Sequence, residues 1–202
     1  VIGKLIDSVR AQSYDRDKIS IFVGADNCTD ATAHAARSHG AVVYERHNTQ
    51  LRGKGWALDF LLREMQRHGQ QRYDAYLVLD ADNVLDRDFI LHMNETFSAG
   101  YDIVTCYRNS KNYGDNWISA GYALWFLRES RYLNGARSRL GSSCGVSGTG
   151  FLFSQAVLDA QGGGWPFHLL TEDIEFTIHN VTRGVRVGYC AEAVLYDEQP
   201  VR

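Results

Sequence analysis

No stretch of this sequence approaches the roughly 20 apolar residues that a membrane-spanning helix requires. The longest candidate, ISAGYALWFL at Ile118–Leu127, is half that length. The start shows no signal-peptide pattern of basic, apolar and small segments. Positive charge is not in excess: 21 Lys and Arg stand against 24 Asp and Glu, a net charge of −3. That removes the electrostatic case for nucleic acid as a partner. The four cysteines, Cys28, Cys106, Cys144 and Cys190, form no CxxC pair and no Cys/His cluster, which argues against zinc. Isolated thiols fit a reducing compartment and the packing of small buried side chains. Internal repeats and low-complexity tracts are absent too. What is present is a 202-residue chain with 45% hydrophobic residues, enough for the core of one large domain or two small ones.

The apolar pattern alternates between two periods. VIGKLIDSVRAQSY places Ile2, Leu5, Ile6 and Val9 on one helical face. ISIFVGAD is a short strand over Ile19–Val23, ending at Gly24 and Asp26. TDATAHAARSHG is a helix with Thr29 or Asp30 as N-cap and Gly40 as its stop. AVVYE, AYLVLD and YDIVTCY read as strands, and GKGWALDFLLREMQRHG and RDFILHMNETFSAG as the helices between them. This alternation predicts an α/β fold with a mostly parallel sheet, helices on both faces and right-handed crossovers. Beyond Tyr107 the pattern changes. NSKNYGDNW is a polar loop, followed by one or two aromatic-rich helices, whose Trp117, Tyr122, Trp125 and Phe126 are expected in the core rather than against a membrane. CGVSGTGFLFS and GGGWPF are Gly-rich loops. TEDIEFTIHNVTRG is a helix capped by Thr171, and VRVGYC and AVLYDEQ are two closing strands. A helix in first place and an unterminated YDEQPVR in last suggest a piece cut from a longer protein at both ends.

In such a sheet, ligands bind beyond the carboxyl ends of the strands. Asp26 follows one strand there, and Asp80 and Asp82 follow another. Lys54 opens a helix, where backbone N–H groups favour an anion, and Glu172 and Asp173 open a later one. Two carboxylates one residue apart repel unless a cation or separate partners relieve them. A hard divalent ion takes one or two carboxylates plus substrate phosphates. DADN also reads as a solvated turn. Its letters match the D-x-D-x-[TV] signature of haloacid-dehalogenase-type phosphatases as well, with Asp80 as nucleophile and Asp82 as acid. That motif normally sits on a first strand, however, and no later G-D-x-x-x-D loop is found.

Five pieces in order, VGADNCTDAT, RGKGWAL, LDADN, SGTGF and LLTEDIEF, resemble the family 2 glycosyltransferases of the GT-A fold, inverting enzymes that use nucleotide sugars. The resemblance spans nearly the whole chain. YDEQP resembles the stretch before the Q-x-x-R-W motif of the processive, membrane-bound branch that includes cellulose, hyaluronan and chitin-oligosaccharide synthases. The family's first strand, central to its sheet, is expected ahead of Val1, and Q-x-x-R-W beyond Arg202. One catalytic domain over 1–202 is implied, with a nucleotide-sugar half at 1–107 and an acceptor half at 108–202.

The resemblance implies a role for each candidate. Asp26 would bind the base, most often uracil, of a UDP-sugar. Lys54 would meet the diphosphate or hold the first acid of D-x-D, with Asp80 near the ribose. Asp82 would bind Mg²⁺ or Mn²⁺ bridging the phosphates. Asp173 would be the general base that takes the proton of the attacking hydroxyl. Glu172, Gly148 and Thr149 would face a carbohydrate or lipid-linked acceptor, and Trp165 and His168 would stack against it or hydrogen-bond it. Bland readings stand beside these: Asp26 as a cap, Lys54 as a surface lysine, SGTGF as a tight turn, His168 as structural, and acids in a helix's first turn as partners of its dipole. A non-catalytic nucleotide-sugar-binding module would keep Asp26 and Asp82 without needing Asp173. The intact protein is expected at the cytoplasmic face of a cell membrane, attached through segments outside this chain.

Overall fold

The computed structural model describes residues 1–69 and 72–202. Helix α1 (Ile2–Arg10) buries Ile2, Leu5, Ile6 and Val9, the face its spacing predicts. A 3₁₀ turn at Arg16–Lys18 leads to β1 (Phe22–Asp26), α2 (Thr32–Ser38), β2 (Val42–Arg46) and α3 (Lys54–His68). Next come β3 (Ala75–Val78), the short β4 (Val84–Leu85), α4 (Phe89–Ser98) and β5 (Ile103–Ser110). Helix α5 (Trp117–Leu127) continues through a π-helical run at Arg128–Asn134 into α6 (Gly135–Arg139). The chain ends with β6 (Phe151–Ser154), α7 (Gln155–Ala160), α8 (Glu172–Val181) and β7 (Val187–Asp197).

The fold is α/β as predicted, but its sheet is mixed. β1 and β2 pair in parallel as a two-stranded sheet. The larger sheet runs in the order β3-β6-β5-β7-β4. Within it only β5 and β7 are parallel, while β6 runs antiparallel to β3 and β5, and β4 antiparallel to β7. The reason lies in the excursion between β5 and β6. A crossover would carry the chain back to the start of β5. Instead the segment 111–150 leaves and re-enters at the same end, so that Phe151 pairs with both Val78 and Thr105. The expected pair of closing strands is one strand, β7. Cys106 faces Cys190 and Tyr107 faces Val194, so residues 191–193 bulge out. The division expected at Tyr107 falls inside β5.

Alternate residues of the strands feed two cores. Val104, Cys106, Leu152 and Leu195 pack with α1 and with Phe89 and Met93 of α4. Ile103, Phe151, Phe153 and Val187 pack on the other face with Leu62 of α3, Trp165 and Phe176 of α8. Between β1 and β3, each hydrogen-bonded to a strand on one side only, lies an apolar cavity of about 480 Å³ lined by Val23, Leu61, Leu77 and Met93 among others.

The aromatic helix departs from its expected place in the core. Only Ser119 and Ala123 of α5 are fully buried, and Trp117, Tyr122 and Trp125 are exposed. The helix turns its small residues inward, and Phe126 is held 3.5 Å beneath the Arg108 guanidinium. At α8, Thr171 occupies the N-cap position, but its side chain makes no capping bond, and its carbonyl accepts from Ile174 and Glu175 instead.

Candidate active site

The stretch Asp80–Asn83 is a turn whose inner side is tied down. Asn83 N–H donates to the Asp80 carbonyl at 3.0 Å. The Asn83 side chain is fully buried. Its Oδ1 accepts from Asp80 N–H at 2.9 Å and from the Thr149 hydroxyl at 2.5 Å. Thr149 Oγ1 also accepts from Asp80 N–H at 2.9 Å. Asn83 Nδ2 donates to Asp197 Oδ1 at 2.8 Å, and Asp197 accepts from Arg108 Nε at 2.9 Å and Gln199 Nε2 at 3.1 Å. Buried polar groups here are paired, as a low-dielectric interior requires. The turn therefore holds its backbone rigidly, while the Asp80 and Asp82 carboxylates stay partly exposed.

Lys54, the first residue of α3, joins the motifs. Its Nζ forms an ion pair with Asp80 and donates to the Gly148 carbonyl at 2.7 Å. The glycines around it have identifiable reasons. Gly53 has φ +113°, a conformation that a side chain disfavours. A Cβ at Gly55 would run into the Phe167 carbonyl oxygen. Asp173 completes the group. Its Oδ2 lies 3.8 Å from where a Cβ on Gly148 would sit. Four of the five sequence pieces thus meet: GKG, DADN, SGTG and TED.

The charges are unevenly balanced. Burial, then the nearby Asp197 and Asp80 charges, push the Asp82 carboxyl above its ordinary value. Lys111 is near but donates to the Asp82 carbonyl oxygen at 2.6 Å and to Glu198 at 3.1 Å. Glu172 is buried, and that burial raises its carboxyl, with Lys54 opposing and Asp173 and Asp80 adding to the rise. Among the described residues no three His, Cys, Asp or Glu side chains converge into a metal cage. A carboxylate short of a cation, at the mouth of a rigid turn, does fit Mg²⁺ or Mn²⁺ that takes its remaining ligands from a diphosphate.

Asp26 ends β1 in the smaller sheet. Its Oδ1 accepts from Arg46 Nη1 at 2.6 Å and from Asn27 Nδ2 at 3.1 Å. Arg46 is buried and also donates to the Leu51 carbonyl at 2.7 Å.

Two acceptor assignments need correcting. Trp165 is wholly buried, its ring 4.7 Å from that of Phe176, so it cannot stack on an acceptor. The glycines before it suggest an exposed loop. In fact Gly163 and Gly164 bring the chain hard against Gln66, Asp59 and Arg63 of α3, and Trp165 N–H donates to Asp59 at 2.8 Å. Thr149 is also buried and spends its hydroxyl on the turn. Gly148 does lie between Lys54 and Asp173. His168 is half-buried, stacked on Trp56 at 3.6 Å, and its Nδ1 has no hydrogen-bond partner among the described residues. Sequence reasoning missed Asn83, Asp197, Arg108 and Arg46. Asn83, as part of LDADN, and Asp197, as part of YDEQP, stood in motifs already singled out, whereas Arg108 and Arg46 stood in none.

Comparison with known proteins settles the family. The model of glycosyltransferase like family 2 matches residues 1–202. The chain belongs to that family. Among solved structures, the mannosyltransferase PcManGT of Pyrobaculum calidifontis, in complex with GDP-Man and Mn²⁺, is similar to it with a TM-score of 0.74 and 20% identity. That match covers 100% of this chain and 54% of PcManGT. TarS of S. aureus is similar with a TM-score of 0.64 and 15% identity, over 98% of this chain and 34% of TarS. A TarS 1–349 structure with UDP-GlcNAc gives 0.62 and 14% identity, over 100% and 55%. The chain therefore spans about half, or less, of these proteins, and the likeness is one of fold. No curated protein matches it in sequence. The family match sets aside the phosphatase reading of Asp80 and Asp82. It is not specific to the cellulose, hyaluronan and chitin synthase branch.

Proposed function

We propose that this chain is the catalytic part of a metal-dependent, inverting glycosyltransferase. It moves a sugar from a UDP-sugar to a hydroxyl of a carbohydrate or lipid-linked acceptor, in polysaccharide or glycolipid synthesis at the cytoplasmic face of a membrane. The observation that carries this reading is the convergence on Lys54, which pairs with Asp80 and the Gly148 carbonyl with Asp173 alongside.

In this reading Asp26 receives the uracil. Its Oδ1 is taken by Arg46 and Asn27, and its Oδ2 has no hydrogen bond among the described residues, leaving an acceptor for a base N–H. Asp80, oriented by Lys54 and by its pinned backbone, faces the ribose. Lys54 adds positive charge where the diphosphate leaves. Asp82 would hold Mg²⁺ or Mn²⁺, which as a Lewis acid stabilises the charge growing on the leaving group. Asp173 takes the proton from the acceptor hydroxyl as its oxygen bonds to the anomeric carbon. A single displacement requires that base on the face opposite the diphosphate, and one direct displacement inverts the centre. Glu172, His168 and Gly148 line the acceptor side.

The test is Asp173→Asn. UDP release from a panel of UDP-hexoses with oligosaccharide acceptors should fall by about 10³-fold. Calorimetric binding of UDP with Mn²⁺ should be unchanged. Turnover that survives the substitution removes Asp173 as the base, and a non-catalytic module shows no turnover in either protein.

A further inference from the structure

Among the described residues nothing packs on the outer face of α5 and the π-helical run, which is apolar and basic at once. Trp117 is 83% exposed, Trp125 58% and Tyr132 64%, and Tyr122 and Leu124 are exposed beside them. Trp117, Trp125, Arg128 and Tyr132 recur at helical spacing along one stripe. The Arg128 guanidinium lies 5.3 Å from the Trp125 ring centre, so cation and aromatic share that surface. All eleven residues of α5 are uncharged. Over 116–140 the only charged residues are four arginines, Arg128, Arg131, Arg137 and Arg139, all exposed, and Glu129, a local +3 in a chain of net −3.

We propose that this face is an interfacial anchor that lies on an anionic phospholipid surface. Trp and Tyr, with an apolar ring and a polar edge, concentrate at the level of lipid headgroups. A helix with such a face and flanking arginines lies in the plane of the interface and binds by apolar burial plus attraction to anionic lipids. At about 1.5 Å per residue, the eleven residues of α5 fall well short of a roughly 30 Å hydrocarbon core, so the helix rests on the surface and does not cross it. A symmetric contact with a second copy would set the same patch, and hence arginine against arginine, on both sides. The positive balance therefore selects the lipid surface. The inference does not depend on the transferase reading, because none of these residues belongs to the candidate site.

The experiment is co-sedimentation of the 202-residue chain with phosphatidylcholine vesicles, with and without about one third phosphatidylglycerol. Binding should be at least tenfold tighter to the anionic vesicles and should weaken as salt is raised. Trp117→Ala/Trp125→Ala and Arg128→Gln/Arg131→Gln should each lower it at least tenfold. Both pairs are exposed, so melting and UDP binding should not change. Brominated lipids should quench tryptophan emission in the wild type and not in the Trp117→Ala/Trp125→Ala variant, because Trp165 is buried and Trp56 is stacked on His168. Three results would overturn the proposal: no binding to anionic vesicles by chain that melts cooperatively, equal binding by the Trp117→Ala/Trp125→Ala variant, or a dimer that this variant dissociates.

Discussion

Asp26 and Asp82 stand at comparable places, the carboxyl ends of β1 and β3, but they are neutralised differently. Asp26 has the buried Arg46 guanidinium 2.6 Å away, itself anchored on the Leu51 carbonyl. Among the described residues Asp82 has no such cationic partner. Its nearest cation, Lys111, reaches its backbone oxygen, and Asp197 and Asp80 crowd its carboxylate. A strand end with its own counter-ion is a preformed polar surface, suited to a neutral ligand such as a base. A strand end short of positive charge is suited to a cation. Chain position alone does not separate the two, and the charge balance does. Asp80, two residues from Asp82, is also supplied with a cation, in Lys54, and in the proposed reading Asp82 is therefore the member of the pair that takes the metal.

Breaking the closed end gives the largest effect on stability. Arg46→Met strands Asp26 without its buried partner and should cost about 3 kcal/mol, read as a lower urea midpoint. The double variant Arg46→Met/Asp26→Asn should recover most of that loss, and a double variant no better than the single one would show that Arg46 acts through packing alone. Next in size is the support beneath the open end. Thr149→Val removes the hydroxyl that holds Asn83 and Asp80, a loss of about 1–2 kcal/mol, and should weaken Mn²⁺-dependent UDP binding about tenfold. Thr149→Ser should restore it.

The smallest effect concerns pH. Burial raises the Glu172 carboxyl above its ordinary 4.5, so the folded state keeps that proton to higher pH than the unfolded state does. Below 4.5 both states are protonated and folding carries no penalty from this group. As pH rises through the raised value, the folded state becomes penalised. Glu172→Gln should therefore gain in melting temperature relative to wild type as pH rises from 4 toward neutrality. A constant difference across that range would contradict the assignment.

Much of this was legible from local pattern. Strand and helix periods located α1, β2, α3, β3, α4 and α8 within a few residues, and the pairing of Lys54 with Asp80 was one of the two roles that the family resemblance implied for Lys54. What escaped was non-local. The direction of β6 depends on where a forty-residue excursion returns, which no period encodes. Asn83 and Asp197 are 114 positions apart, and Arg46 meets Asp26 across a strand pair. Trp165 follows three glycines and reads as a loop residue. Its burial depends on Gly163 and Gly164 packing against α3. The aromatic helix erred the other way, because eleven uncharged residues look like core until the surface they face is known.

In the proposed function Asp82 is the carboxylate that takes the cation. The most direct test is calorimetric titration of UDP into wild type and Asp82→Asn, each with and without Mn²⁺. Wild-type binding should tighten with Mn²⁺, by at least about 100-fold over the variant under the same conditions. The variant should bind equally with or without the ion. Metal-enhanced binding that persists in Asp82→Asn would contradict the account.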